Sequence, residues 1–216
     1  VGGIDRPTAG SIRFGGEDIG GYSQRRLTGY RRSAVGFVFQ FYHLIPNLTA
    51  LENIELSARL SKNPIASGEL LEKVGLGDRG GHFPSQMSGG QQQRTVLARA
   101  LVAKPKTLLL DEPFSSLDAP LRADMRALVK QLHQSLGTTM LLVTHDQEEA
   151  LALSDTMAVM AQGRILQTGT PQEIYRQPNS LAVAQRFFRG NQIEGIVQNG
   201  KFIGGGITFS VPLSCG

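Results

Sequence analysis

The hexapeptide Leu108-Leu109-Leu110-Asp111-Glu112-Pro113 carries the strongest chemical signal in the chain, an apolar run that stops at two adjacent carboxylates. A strand ending this way delivers both acids to the carboxyl edge of a sheet, where α/β proteins bind ligands. Successive strand side chains point to opposite sides, so Asp111 and Glu112 can take different roles. One can face a magnesium ion while the other orients a water. Read alone, the hexapeptide is also compatible with two acids that merely cap an exposed strand end. Upstream, Ser88-Gly89-Gly90-Gln91-Gln92 opens a helical pattern. Free N–H groups and the positive end of the dipole suit such a start to an anion, and two glycines let a phosphate come close. In isolation Ser-Gly-Gly is a common turn before a helix. His145 closes the run Leu141–Thr144, and Gln40 closes Ser33–Phe39. An imidazole there can donate to a phosphate oxygen, and an amide can reach a metal or a water. Each alone is more often structural. Asp118, in Ser115-Ser116-Leu117-Asp118, is placed to cap the helix that begins near Pro120, which leaves a second role across an interface open.

The elements that must position these residues follow from periodicity. Ser11–Phe14 reads as a short strand after a turn. Alternation over Ser33–Gln40 predicts another, with Val35, Phe37 and Phe39 on one face. Leu48–Leu60 reads as a helix capped by Thr49, with Leu51, Ile54 and Leu60 on one side. Glu69–Val74 is a short helix ended by Gly75. Ser88–Ala103 starts at a serine cap and places Val96, Leu97, Ala100 and Leu101 on one stripe. Lys106–Leu110 and Thr138–Thr144 are predicted as buried parallel strands. Between them Pro120–Leu136 sets Leu121, Met125, Leu128, Leu132 and Leu136 at steps of three and four. A helix follows over Asp146–Leu153. Thr156–Ala161 and Arg164–Thr168 flank Gln162-Gly163 as a hairpin. Strands alternating with helices make an α/β layered domain with a mostly parallel sheet. After Phe188 the texture changes to Gly-rich turns and short alternating strands, the beginning of an all-β unit.

At 216 residues the chain can bury a sizeable core. A net charge of +4 describes an ordinary solvated surface, and no nucleic acid partner is called for. Arg25, Arg26, Arg31 and Arg32 do cluster. The single cysteine, Cys215, rules out an internal disulfide framework and a multi-cysteine zinc site. The apolar runs are too short to span a bilayer, and the chain is expected in a reducing, cytoplasmic compartment.

In order and spacing, Gln40, Ser88-Gly89-Gly90-Gln91, Asp111-Glu112, Ser116-Leu117-Asp118 and His145 resemble five segments of an ATP-binding cassette. In that family these are the Q-loop, the signature motif, Walker B with its catalytic glutamate, the D-loop and the H-loop. The resemblance runs from Val1 to Phe188, with Met87 where the family usually has Leu. It implies an α/β, P-loop NTPase-like ABC ATPase domain over residues 1–188, with a helical subdomain over about 41–103. Residues 189–216 would begin a TOBE-like all-β regulatory domain. It further implies ATP and Mg2+ as ligands. Asp111 would hold magnesium through water, and Gln40 would sense magnesium and a membrane partner. Glu112 would act as general base, and His145 would clamp the γ-phosphate. Ser88, Gly89, Gly90 and Gln91, with Asp118, would serve the ATP of an opposite subunit. The implied partners are transmembrane permease subunits, a second copy of the ATPase and a solute-binding protein, with the chain peripheral on the inner face of the cell membrane.

Two features depart from the family pattern. No G-x-x-x-x-G-K-[ST] phosphate loop occurs, since the single Gly-Lys is Gly200-Lys201 followed by Phe202. The family places that loop shortly before the segment resembling Gly2–Gly10, so turnover by residues 1–216 alone is expected to be negligible, with strands left unpaired and apolar surface exposed. Second, Asp111–Phe188 looks like importer ATPases for iron, sulfate, polyamines or molybdate, whereas Phe39–Leu56 looks closer to lipoprotein-release and efflux ATPases. The leading expectation is the ATP-hydrolysing subunit of a membrane transporter. A competing one is a non-hydrolysing partner that lends Ser88–Gln91 to another chain's site, though an intact Glu112 and His145 argue against it. A soluble cassette ATPase of DNA repair would need a long heptad insertion, and one of translation usually carries two cassettes.

Overall fold

The computed structural model describes residues 2–188 and 193–210. The chain divides into two compact units, Val1–Ser154 and Asp155–Gly216.

In the first unit, β1 (Arg13–Phe14) and β2 (Glu17–Asp18) form a small hairpin. Ser23 caps α1 (Gln24–Ser33), which leads into β3 (Val35–Val38). A helical stretch follows, with α2 (Ala50–Ala58), α3 (Ser67–Lys73) and α4 (Gly89–Leu101). The chain then returns through β4 (Thr107–Asp111), α5 (Ala119–Leu136), β5 (Thr139–Val143) and α6 (Gln147–Leu153). The three strands form one parallel sheet in the order β3-β4-β5, with Val38 opposite Leu110 and Leu110 opposite Leu142. All three therefore end at the same edge, each running into a loop that carries a candidate site residue.

Helix boundaries follow local chemistry. Thr49 and Glu52 form a reciprocal capping box at the start of α2. Gly75 stands at φ +70° just past α3, a conformation that suits glycine. Asp118 caps α5 and Gly137, at φ +62°, ends it. Two cores result. The larger gathers Ile54, Leu70, Leu97, Leu101, Leu108, Leu110, Phe114, Met125 and Leu132 on one face of the sheet. The smaller joins Ile19, Tyr30, Ala34 and Val35 on the other, with Phe37 and Leu109 packed against it. Gly36 lets β3 run against α4, because a Cβ there would lie 2.6 Å from the Ala100 carbonyl oxygen.

Three local expectations are corrected. The helix expected over Leu48–Leu60 ends at Ala58, and Leu60 is exposed. The strand expected over Ser33–Gln40 spans only Val35–Val38, and Phe39 beyond it is exposed, though its ring still stacks on Phe37. β5 is covered on one face only. Met140 and Leu142 pack into the larger core, while Leu141 and Val143 are exposed and line an apolar groove of about 410 Å3 with Ile4, Phe37, Phe39 and Leu109. β5 also has a single strand neighbour among the described residues, so its outer edge is unpaired there.

In the second unit, β6 (Met157–Ala161) and β7 (Arg164–Gly169) pair as a hairpin turning at Gln162-Gly163, both at positive φ. Then come α7 (Pro171–Arg176) and α8 (Leu181–Phe187), which bury Ile174 and Val183. Last is an antiparallel meander of β8 (Gly195–Gln198), β9 (Lys201–Gly204) and β10 (Ile207–Ser210). Cys215 lies outside the described residues.

Candidate active site

The parallel sheet brings the carboxylates and the imidazole to one edge. Asp111 is the last residue of β4, opposite Val143 of β5. Glu112 follows it, and its N–H donates to the Val143 carbonyl at 2.8 Å, which carries the pairing one step past the strand. Two residues beyond Val143 stands His145, whose Nδ1 lies 3.0 Å from Glu112 Oε1. The contact pairs the imidazole, on a side chain that is 71% exposed, with the carboxylate. The pair is therefore accessible to a ligand arriving at the sheet edge. Glu112 takes φ +45°, which is unusual for a residue before proline. The turn is held by Ser115, whose N–H and hydroxyl both donate to the Glu112 carbonyl. Such an outlier persists only where its surroundings over-determine it.

The turn bearing His145 is braced on both sides. The Asp146 carboxylate caps α6 by accepting from the Glu148 and Glu149 N–H groups. It also receives Arg122 Nη1 at 2.9 Å, while Arg122 Nη2 donates to the Leu117 carbonyl at 3.1 Å. Burial by itself would raise the Asp146 carboxyl, but those two N–H groups and the guanidinium outweigh it and hold it below its ordinary value. Glu149 is buried at 2% exposure. Its burial raises it above the ordinary glutamate value, against the opposing hydrogen bond from the Thr144 hydroxyl. Arg122 thus ties the segment ending at Asp118 to the segment bearing His145. A cavity of about 40 Å3 opens between them, lined by Glu112, Ser115, Arg122, His145 and Glu149.

At the start of α4, Ser88 Oγ accepts from the Gln91 N–H and Gln91 Oε1 accepts from the Ser88 N–H. The capping box consumes acceptors and leaves donors: the Ser88 hydroxyl proton, the Gln91 amide protons and the N–H groups of Gly89 and Gly90. That is the pattern an anion requires. A Cβ at Gly89 would lie 3.0 Å from the Tyr42 hydroxyl, and one at Gly90 would lie 3.2 Å from Leu121. Tyr42 is itself within 3.2 Å of the Ser116 hydroxyl. Gln40 is exposed two residues past β3. The following loop is fastened to α4 by Arg99, which donates to the carbonyls of His43 at 2.6 Å and Tyr42 at 3.2 Å. Asp118 is exposed at the cap of α5, where its Oδ1 accepts from the Leu121 N–H.

Among the described residues, no group of three or more His, Cys, Asp or Glu comes together to hold a metal ion. Asp111 nonetheless offers the donor that magnesium uses, an exposed carboxylate at a strand end. Magnesium keeps several waters and takes one or two carboxylates plus substrate phosphates rather than a protein cage. The residues present fit a magnesium-bound nucleotide better than a free-standing metal centre.

Sequence patterns did not single out Gln93, Asn53, Arg99, Arg122 or Glu149. Asn53, 1% exposed, accepts from the Ile45 N–H and donates to the carbonyls of Ile45, Leu48 and Thr49. The available signal was a single amide standing on an otherwise apolar helical stripe, as Asn53 does beside Ile54 and Gln93 does one turn before Val96 and Leu97.

Parallel strands ending together in acids and an imidazole, close to a helix start rich in donors, define an α/β nucleotide-binding domain. The ABC transporter family model matches residues 1–115, and the chain belongs to that family. Relatives share most of its length. A sulfate/thiosulfate import ATP-binding protein of Agrobacterium fabrum is 45% identical over 208 residues, which is 93% of this chain and 59% of that protein. An Fe(3+) ions import ATP-binding protein of Rhizobium meliloti is 48% identical over 205 residues, 93% of this chain and 50% of that one. A spermidine/putrescine import ATP-binding protein of Thermobifida fusca is 43% identical over 203 residues, 92% and 51% respectively. The chain thus spans about half to three fifths of the curated relatives it matches. A dimeric bacterial ABC transporter cassette superposes with a TM-score of 0.69 at 33% identity, covering 79% of this chain and 77% of that one. The fold is that of an ABC ATPase cassette.

Proposed function

We propose that this chain is the ATP-binding segment of an importer's ATPase subunit and that Glu112 is its general base. The carrying observation is the 3.0 Å contact between Glu112 and His145 at the carboxyl edge. It holds the carboxylate in one orientation while leaving the outer face of the imidazole free. Glu112 then takes the proton of the attacking water, and His145 presents its exposed nitrogen to the terminal phosphate. Asp111 and Gln40 would hold magnesium, whose charge would offset that developing on the phosphate oxygens. Ser88, Gly89, Gly90 and Gln91 offer donors to a second nucleotide, and Asp118 lies with them on the face turned to an opposite subunit. The dimeric cassette neighbour supports that pairing.

Transmembrane permease subunits are the partners this reading requires, with a solute-binding protein beyond them. Exposed Phe39 and Phe41 stand edge-on to His43 and offer an aromatic surface for a permease helix. Import is favoured over export because three relatives matched over at least 92% of the chain are named for import. No described helix is long and apolar enough to cross a membrane, which suits a peripheral subunit on the inner membrane face. We assign residues 1–188 to the ATPase domain, with about 41–103 as its helical subdomain, and 189–216 to the start of an all-β domain.

The test is to read the coding DNA upstream of Val1, express the whole reading frame and compare ATP hydrolysis by the natural protein and Glu112→Gln. An in-frame G-x-x-x-x-G-K-[ST] and a loss of turnover of at least about a hundredfold are expected, with ATP-dependent dimerisation retained. Turnover that survives E112Q overturns the assignment. A stop codon followed by a start close to Val1 would favour the non-hydrolysing partner instead.

A further inference from the structure

We propose that Gln93 is a positioning residue for this reaction: from the helix that begins with Ser88-Gly89-Gly90-Gln91, its amide fixes the turn that aims Glu112. The proposal rests on the general-base reading of Glu112 given above.

Gln93 lies inside α4 and is 1% exposed. Its Nε2 donates to the Pro113 carbonyl at 2.6 Å, twenty residues along the chain. A carbonyl can only accept, so the amide must present its nitrogen there and turn Oε1 away. Oε1 then has no hydrogen-bond partner. An amide buried with one end unsatisfied is a liability to the fold, and an apolar side chain of the same length would avoid it. What a glutamine adds here over an apolar side chain is its bond to the buried Pro113 carbonyl, at the expense of an unpartnered Oε1.

Pro113 follows Glu112, which stands at positive φ. Proline has no N–H and offers the turn no donor of its own. The Glu112 peptide is pinned from β5 through the Val143 carbonyl, and its own carbonyl is taken by Ser115. Phe114 is buried at 1% exposure. Gln93 supplies a further tie, from the α4 side, and it holds the backbone of the turn, whereas His145 meets the Glu112 carboxylate. Without it the Pro113 carbonyl is free to rotate, and the strained φ of Glu112 loses one of the contacts that impose it. A carboxylate displaced by a fraction of an ångström loses its alignment with water and with His145. The same bond makes α4 and the Glu112 turn move together. A shift of the Ser88–Gln91 terminus on meeting a nucleotide would pass to the base of the same chain.

The test uses a feature of the sequence. Pro113-Phe114 is the only Pro-Phe pair in the chain. Labelling proline at its carbonyl carbon and phenylalanine at its amide nitrogen therefore leaves one doubly labelled peptide bond and one cross-peak. In Gln93→Met the Pro113 carbonyl resonance is expected to move upfield as its hydrogen bond is lost, and the His145 ring nitrogen signals to move with it. Gln93→Asn keeps the amide but shortens its reach, and is expected to shift both signals likewise. The melting temperature of Q93M should change by no more than a few degrees, because relieving the unpartnered Oε1 offsets the loss of the donor to the Pro113 carbonyl. In the full reading frame, kcat for ATP hydrolysis should fall about ten- to a hundredfold with KM unchanged. An unmoved carbonyl resonance, or a Q93M protein that loses stability while keeping kcat, overturns the proposal. A natural protein without ATPase activity would instead count against the general-base reading, and the carbonyl and His145 signals would still decide whether Gln93 holds the turn.

Discussion

Arg122→Met is expected to lower stability by about 2 kcal/mol, a figure that follows from what the guanidinium touches. Its bond to Asp146 is charge-assisted at 2.9 Å between side chains 30% and 22% exposed, and bonds of that kind contribute about 1.5–3 kcal/mol. Partial exposure places this one at the lower end. The bond to the Leu117 carbonyl adds about 1 kcal/mol. Met replaces the aliphatic stem and is ordered at a similar entropic penalty, so those terms nearly cancel. In a urea titration with a slope of about 2–3 kcal/mol/M, the midpoint should fall by roughly 0.7–1 M. A cycle with Asp146→Asn isolates the pair, because the asparagine oxygen still caps α6 while the charge is gone. Coupling of about 1 kcal/mol or more is expected between the two substitutions. A midpoint shift below about 0.2 M, or strict additivity in the cycle, would refute the claim that Arg122 binds the Leu117 segment to the His145 turn.

The remaining expectations concern the buried polar groups. Asn53→Ala should cost about 3 kcal/mol, since it strands the Ile45 N–H and two carbonyls. The melting temperature should drop by roughly 6–12 °C, and a drop under about 2 °C would mean that loop 45–49 does not depend on Asn53. Glu149 supplies a pH dependence. Burial raises its carboxyl above the ordinary value of 4.5, so the folded state binds this proton more tightly than the unfolded state. Its ionisation therefore subtracts stability as pH climbs from 4.5 through the raised folded value. Glu149→Gln cannot ionise and should flatten that decline above pH 4.5, read as urea midpoints. Asp146, held low, acts in the opposite sense: its contribution is present above 3.8 and is lost as pH falls through its lower folded value. A pH slope identical in E149Q and the natural protein would show that Glu149 ionises freely in the fold.

The elements were legible wherever one residue type settles a local question. Ser88, Thr49, Asp118 and Asp146 each announce a helix start by offering a short oxygen to free N–H groups, and each caps the helix expected of it. The hairpin at Gln162-Gly163 was readable because tight turns need positive φ. The misjudged burial of β5 has a different origin. Apolarity along Thr139–Val143 says that both faces suit an interior, but it cannot say which residues cover them. Leu141 and Val143 remain at 44% and 53% exposure for that reason.

The site shows the same division between chemistry and connection. Asp111, Glu112 and His145 could be nominated one by one because reactive side chains at strand ends are recognisable from type and position. Their convergence depends on the register of β4 on β5, which sets Asp111 opposite Val143 and so brings Glu112 within reach of His145. No local pattern encodes that register. It comes from Leu108 and Leu110 facing one core while Leu109 faces the other. Still less visible were the groups that hold the reactive ones. Gln93 and Arg122 reach the Pro113 and Leu117 carbonyls, which carry no sequence information because every residue has one. A side chain bonded to a backbone carbonyl leaves no complementary partner to look for. Such residues surface in a sequence only as an anomaly, a polar group where the helical stripe asks for an apolar one. In Gln93 that anomaly and the aiming of Glu112 meet in a single hydrogen bond.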